Sequence, residues 1–321
     1  MIPVSILGTG AATGGERVPT ATLAAEIGMD PTEAIARTGI SQRYRVRDGE
    51  DITTMAAAAL EQALDAAGID GSRLARLILV GSGGGDVRIP ATANRVLGAL
   101  GIGRTCDAFD LNNACTGFLS AFDIAARCVA TGMHPIAIVA AERFSDVTGK
   151  DDPRPYLVMG DAAAAVIVGP GREGEGIEHA VLRNAADFYH GIIMEHADEG
   201  APSRLRFLEK NRTIGEAAIG GVVDAVRRTL AGAGLTMDDI DWIVPHQPNG
   251  RLLDAMVKVM RADPAKVVPV VDEIGSVGAA SAPYSLDRLM RSGKVRPGQR
   301  LLLCAVGAGM SYGAIVHRIA A

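Results

Sequence analysis

The feature that most constrains this chain is a repeat: the order of buried segments in its first half returns in its second. Apolar runs at residues 74–82, 136–141 and 162–168 are answered by runs at 241–246, 301–306 and 313–319. Each run is continuous rather than alternating, the mark of a strand covered on both faces. Helical spacings lie between them, clearest over residues 52–67 and 214–231. Two copies of a βαβ-rich unit predict an α/β fold in two duplicated halves, residues 1–170 and 171–321. Mixed sheets then carry helices packed between and around them.

Within this frame a first strand over residues 4–7 ends at Gly8-Thr9-Gly10, and short helices follow at 21–28 and 31–37. A helix spans 91–100. In the second half a strand near 267–271 separates helices at 250–261 and 279–290. Residues 171–211 are more polar and less periodic, and read as an insertion over the functional site. His190 and His196 fall in it. His179 and His317 fall on strand-like segments and are expected to face solvent.

Of the 321 residues 48% are hydrophobic, so a sizeable core is available, and 39 glycines suit close packing of helices on sheets. The formal net charge of −5, with no basic stripe, argues against a nucleic-acid partner. Four widely spaced cysteines without a CxxC pair argue against a disulfide framework or a zinc site and for a reducing cytoplasm. The N-terminus lacks a basic n-region, and no uninterrupted apolar segment reaches the ~18 residues of a membrane span.

Four stretches carry candidate chemistry. The first is Asp110-Leu111-Asn112-Asn113-Ala114-Cys115-Thr116-Gly117-Phe118, polar, then small, then helical. A cysteine at a helix start feels the positive end of the macrodipole, which lowers its pKa and favours the nucleophilic thiolate. The alternative is an ordinary buried thiol. The second is Val244-Pro245-His246-Gln247-Pro248-Asn249, where a histidine follows a buried strand directly. Strand ends are where α/β proteins place functional groups; the alternative is a capping histidine. The third, Ile274-Gly275-Ser276-Val277-Gly278-Ala279-Ala280-Ser281, has small residues that let backbone approach a ligand. The fourth, Val306-Gly307-Ala308-Gly309-Met310-Ser311, is a glycine turn whose N–H groups can bind an oxyanion. The loop Gly81-Ser82-Gly83-Gly84-Gly85 has neither phosphate-binding spacing and reads as a tight connection.

In order and spacing these stretches, with Arg37-Thr38-Gly39-Ile40 and Gly160-Asp161, resemble the β-ketoacyl-acyl-carrier-protein synthase III family of the thiolase-like superfamily, over essentially the full length. The resemblance implies a five-layered αβαβα fold with mixed five-stranded sheets, a homodimer, and acyl transfer through a cysteine thioester. Cys115 then holds the acyl group, and the N–H groups of Cys115 and Gly309 form the oxyanion hole. His246 donates a hydrogen bond to the malonyl thioester carbonyl. Arg37, Arg251, Asn249, Ile89 and Met310 become contacts to substrate or carrier. The implied substrates are acyl-CoA or acyl-carrier-protein thioesters, with no metal and no cofactor.

The chain departs from the family where an asparagine normally partners the histidine; Ser276 stands there. A hydroxyl is shorter than an amide and rotates. That leaves a second reading open: a non-decarboxylating acyltransferase passing the acyl group to a hydroxyl or amine. Glu33 and Glu216 stand where the family often has a tryptophan and a lysine gripping coenzyme A. Ile89 occupies the position that reaches into the partner's pocket, and Arg88 beside it reads as a surface or interface charge.

Overall fold

The computed structural model describes residues 1–104, 106–195 and 203–320; His196 lies outside them. The first half runs β1 (Ser5–Thr13), β2 (Glu16–Pro19), α1 (Thr20–Glu26), α2 (Pro31–Thr38), β3 (Gln42–Arg45) and α3 (Ile52–Ala67). It continues with β4 (Arg76–Val80), α4 (Thr92–Ala99), β5 (Asp107–Leu111), α5 (Gly117–Ala130), β6 (Ile136–Arg143), α6 (Pro153–Val158) and β7 (Asp161–Gly169). The second half runs β8 (Gly176–Asn184), β9 (Ile192–Glu195), β10 (Arg204–Phe207), α7 (Asn211–Ala233), β11 (Trp242–Pro245) and α8 (Gly250–Met260). It closes with α9 (Val271–Ile274), α10 (Ser281–Arg291), β12 (Arg300–Gly307) and β13 (Ser311–Arg318).

The first sheet has the order β1-β7-β6-β4-β5 and the second β8-β13-β12-β11, so four strands of the first sheet have counterparts in the second. In each, parallel pairing at one end meets antiparallel pairing at the other. The fifth position of the second sheet is held by a single parallel bridge, Ile243 to Val267, rather than a strand. The strand expected over 267–271 is therefore absent: Pro269 has no N–H to donate, and a short helix starts at Val271.

The core separates into three layers of contacts. One cluster lies between the sheets and takes Phe118, Leu119, Phe122, Ala125 and Ala126 from α5 with Ala282, Leu286 and Leu289 from α10. A second lies outside the first sheet under α3 and α4, and a third outside the second sheet under α7 and α8. Helix, sheet, helix pair, sheet and helix give the five layers. Strand β7 shows why its sequence is Asp-Ala-Ala-Ala-Ala-Val-Ile-Val-Gly. All nine residues are buried. Ala163, Ala165 and Ile167 face α3, while Ala162, Val166 and Val168 face the central helices.

Two expectations change. Strand β1 continues through Gly8 and Gly10 to Thr13. A Cβ on Gly8 would lie 2.4 Å from the Ala63 carbonyl oxygen of α3, so glycine here admits the helix instead of ending the strand. Part of the polar segment after residue 170 is β8, the edge strand of the second sheet. Only the stretch beyond it, with the β9–β10 hairpin, stands apart.

His317 is also not at solvent. It is fully buried on β13, edge-on to the Phe122 ring with centroids 5.7 Å apart. Burial pushes its imidazole down from 6.5 to about 4, as it does for His246. Between these two values the unfolded chain binds a proton that the folded chain refuses, so stability is full above pH 6.5 and declines as pH falls towards 4. In chemical denaturation, His317→Leu is expected to lessen that acid dependence by about 1.4 kcal/mol per pH unit relative to the parent protein. An unchanged slope would contradict the burial of a neutral imidazole here.

Candidate active site

Cys115 sits in a one-turn 3-10 helix, Ala114–Thr116, that feeds directly into α5. Ala114 has φ of +45°, a left-handed backbone that a β-carbon disfavours by about 1–2 kcal/mol. Side chains on both flanks hold it: Asn112 Oδ1 accepts from the Ala114 N–H at 3.0 Å, and Thr116 Oγ1 donates to the Asn113 carbonyl at 2.7 Å. The turn is thus a tight elbow at the C-terminal end of β5, with the thiol at its tip.

The glycine turn of the second half packs onto this elbow. A Cβ on Gly307 would lie 2.8 Å from the Cys115 nitrogen and 3.1 Å from the Thr116 nitrogen. Only a residue without a side chain lets β12 come this close. Ser311, just beyond the turn, shares a 2.5 Å hydrogen bond with Thr116, and Gly309 takes φ of +119° between them. Met310 is buried in the second-half core, its backbone paired with Ala185 in both directions.

His246 follows β11 and is 3% exposed; its N–H donates to the Cys304 carbonyl at 2.8 Å. Burial pushes its imidazole down to about 4, and hydrogen bonding with the Gly278 backbone opposes this. The side chain is therefore neutral at neutral pH. Gln247, fully buried, fixes its position. Its backbone N–H donates to Ser281 Oγ at 3.0 Å, and its amide nitrogen donates to Val268 O at 2.8 Å and Ser285 Oγ at 2.9 Å. Its amide oxygen accepts from Val270 and Val271. The sequence reading passed over Gln247, although a polar residue at the end of an apolar strand was the available signal.

The turn Gly278–Ala280, which holds His246, packs against the Cys115 elbow, so both halves contribute to one site. Ser276 lies two residues before this turn. It is 2% exposed, and its backbone bonds to Val158 O at 2.7 Å and Gly160 N at 2.9 Å. Arg43 packs behind this junction, wholly buried. A Cβ on Gly275 would lie 2.8 Å from Arg43 Cβ, and the guanidinium donates to Thr20 Oγ1 and the Leu157 carbonyl.

One electrostatic expectation is overturned. Burial, and then the Glu142 carboxylate, push the Cys115 thiol up to about 12; its own backbone N–H pulls the other way. The helix start is enclosed by the second half, and loss of water outweighs the pull of the helix end.

The remaining candidates lie further out. Arg37 on α2 and Arg251 on α8 meet where Gly39 and Gly250 touch, and Arg251 Nε donates to the Ala36 carbonyl at 2.5 Å. Glu33 pairs with Arg37, and Glu216 with Arg212 at 2.7 Å, so both acidic residues are neutralised along their own helices. Asn249 caps α8 through a 2.8 Å bond from the Leu252 N–H. Ile89 stands 88% exposed in the loop after β4, with Arg88 beside it also exposed. Among the described residues no group of three or more His, Cys, Asp or Glu side chains is placed to hold a metal.

Comparison with known proteins gives a consistent picture. The family described as 3-oxoacyl-[acyl-carrier-protein (ACP)] synthase III matches residues 109–186, and its C-terminal counterpart matches 230–319. The chain is 36% identical to a β-ketoacyl-[acyl-carrier-protein] synthase III of Rhizorhabdus wittichii, over 98% of each chain. It is 33% identical to one of Erythrobacter litoralis, over 99% of this chain and all of that one. Among solved structures, the 3-oxoacyl-[acyl-carrier-protein] synthase III of Aquifex aeolicus superposes with a TM-score of 0.91 at 28% identity, covering 98% and 99% of the two chains. The priming β-ketosynthase of the R1128 polyketide pathway does so with 0.91 at 29%, covering 99% and 96%.

Gly307 gives a clean test of the elbow. Its φ of −139° is open to any residue, so the cost of Gly307→Ala is steric, against the Cys115 and Thr116 nitrogens and Ala114 Cβ of the elbow. The variant is expected to fold and to lose acyl loading on Cys115 by about 10²–10³-fold, the usual loss on spoiling an oxyanion hole, read by intact mass. Loading at the parent rate would show that the glycine turn does not border the reacting carbonyl.

Proposed function

Because the chain belongs to the β-ketoacyl-[acyl-carrier-protein] synthase III family, we propose that it loads an acyl group on Cys115 and condenses it with a malonyl-carrier donor, releasing carbon dioxide. The observation that carries this reading is the meeting of three turns: the Cys115 elbow, Gly307–Gly309 and Gly278–Ala280. In the first half-reaction the Cys115 sulfur attacks the acyl thioester carbonyl. The N–H groups of Cys115 and Gly309 hold the oxyanion, and neutral His246 carries the cysteine proton to the departing thiolate. In the second, the malonyl C–C bond breaks, carbon dioxide leaves, and the electron pair forms an enolate. His246, uncharged, donates a hydrogen bond to its oxygen. The enolate carbon attacks the acyl-Cys115 carbonyl, and the cysteine leaves and regains a proton.

Substrates are acyl-CoA or acyl-carrier-protein thioesters, with Arg37, Arg251, Asn249 and Met310 along the donor's path. We place the protein as a homodimer in which Ile89 reaches the partner's pocket; β5, beside that loop, is the open edge of the first sheet. Light scattering at micromolar concentration is expected to give twice the chain mass, and a stable monomer would reject the arrangement.

Ser276 favours one second reading, an acyltransferase that hands the Cys115 acyl group to a hydroxyl or amine. The two readings separate on one variant. For a condensing enzyme Ser276→Asn is expected to raise malonyl decarboxylation, by up to the ~10²–10³-fold that a site donor is worth, and to leave Cys115 loading nearly unchanged. For an acyltransferase it lowers transfer and yields no carbon dioxide.

A further inference from the structure

Two buried hydroxyls join the turns of the two halves, and the steps above give neither a part. Thr116 follows Cys115, and Ser311 lies two residues beyond Gly309; both are buried. Their oxygens stand 2.5 Å apart although 195 positions separate them in the chain. Thr116 Oγ1 donates to the Asn113 carbonyl at 2.7 Å. A hydroxyl has one hydrogen to give, so the bond between the pair takes its hydrogen from Ser311. The other acceptors near Ser311 Oγ, the carbonyls of Ala308 and Asn113, are further away at 3.4 and 3.5 Å. The result is a directed chain from Ser311 to Thr116 to Asn113, running out of the glycine turn and into the elbow. Each turn is also held within its own half. Asn112 accepts from the Ala114 N–H in the elbow, while Gly307 pairs with Ser311 and Met310 bonds to Ala185 in the glycine turn. Between the halves, the contact of Gly307 with the Cys115 and Thr116 nitrogens limits how close the turns come. Such a contact does not stop one turn from sliding along the other; a directional hydrogen bond does.

We propose that Thr116 and Ser311 are a pair of positioning residues that keep the N–H groups of Cys115 and Gly309 in register to receive the oxyanion. One of these N–H groups comes from each half, so the hole depends on a fixed registration of the glycine turn against the elbow. The pair sits beside both donors: Thr116 is the residue after one, and Ser311 is two residues after the other. Loss of either hydroxyl breaks the same bond. The glycine turn is then free to shift, which moves one donor and leaves the Cys115 sulfur in place.

The inference rests on the proposed use of Cys115 and Gly309 as oxyanion donors, and two reactions of the same sulfur test it. Acyl loading from acyl-CoA or acyl-carrier-protein thioesters, read by intact mass, passes through an oxyanion. Alkylation by iodoacetamide displaces iodide from a saturated carbon and does not. Thr116→Val keeps the shape of the side chain without its hydroxyl, and Ser311→Ala removes the other. Each is expected to lower the maximal loading rate by about 10–10²-fold, the upper figure being the usual cost of an ångström of misplacement. The donor concentration for half-maximal loading and the rate of alkylation stay near the parent's, because the lost interaction belongs to the transition state. The double variant is expected to lose no more than either single one, since both break one bond. Thr116→Ser keeps the hydroxyl and is expected to load near the parent rate. If Thr116→Val does not fold, Ser311→Ala and the hydroxyl-keeping Ser311→Thr make the same comparison. Parent-rate loading in a folded Thr116→Val or Ser311→Ala protein would overturn the proposal, as would losses that multiply in the double variant. Alkylation that falls in step with loading would also overturn it, because that is what a general loosening of the elbow produces. A parent protein that takes up no acyl group from any of these donors would reject the proposed function, and this inference with it.

Discussion

The architecture depends on two helices held between the sheets. Helices α5 and α10 lie between the sheets and bury most of their residues there, and each fully buried Leu or Phe stabilises the fold by ~1.5–3 kcal/mol. Such helices have little freedom to slide, because both flanking sheets set their depth. Their N-termini therefore arrive at one level with the C-terminal ends of β5, β11 and β12. Cys115 precedes α5, and the Gly278–Ala280 turn precedes α10. The site is the place where the duplicated halves bring equivalent ends together.

That burial also sets the electrostatics. Removing water disfavours charged forms, so the thiol moves up, the imidazole moves down, and the Glu142 carboxyl moves up. Fixed N–H groups in such a setting interact most strongly with developing charge, because water is absent. The polar residues that fix those groups are themselves satisfied. Gln247 uses both ends of its amide, and Thr116 and Ser311 bridge the elbow to the glycine turn.

The outer surface is organised differently. Arg251 of α8 bonds to the end of α2 near Arg37, and Glu33 and Glu216 each pair with an arginine on the same helix. Exposed pairs of this kind contribute little to stability. They offset the positive charge of this surface.

Several features follow from the sequence alone. Continuous apolar runs in a repeated order specify two sheets covered on both faces, and the small-polar-cysteine stretch ahead of an amphipathic helix marks the elbow. These are local patterns, and local sequence encodes them. Tertiary structure decided the rest. Gly8 and Gly10 read as a strand end, yet they extend β1 because α3 presses on it. His317 reads as a surface position and is enclosed by Phe122 and the second sheet. Cys115 reads as an activated thiolate, and the second half, closing over the elbow, reverses that. Gln247 gave no motif, because its partners lie far along the chain. Burial and distant neighbours set the sign of a pKa, and no short stretch of sequence carries them.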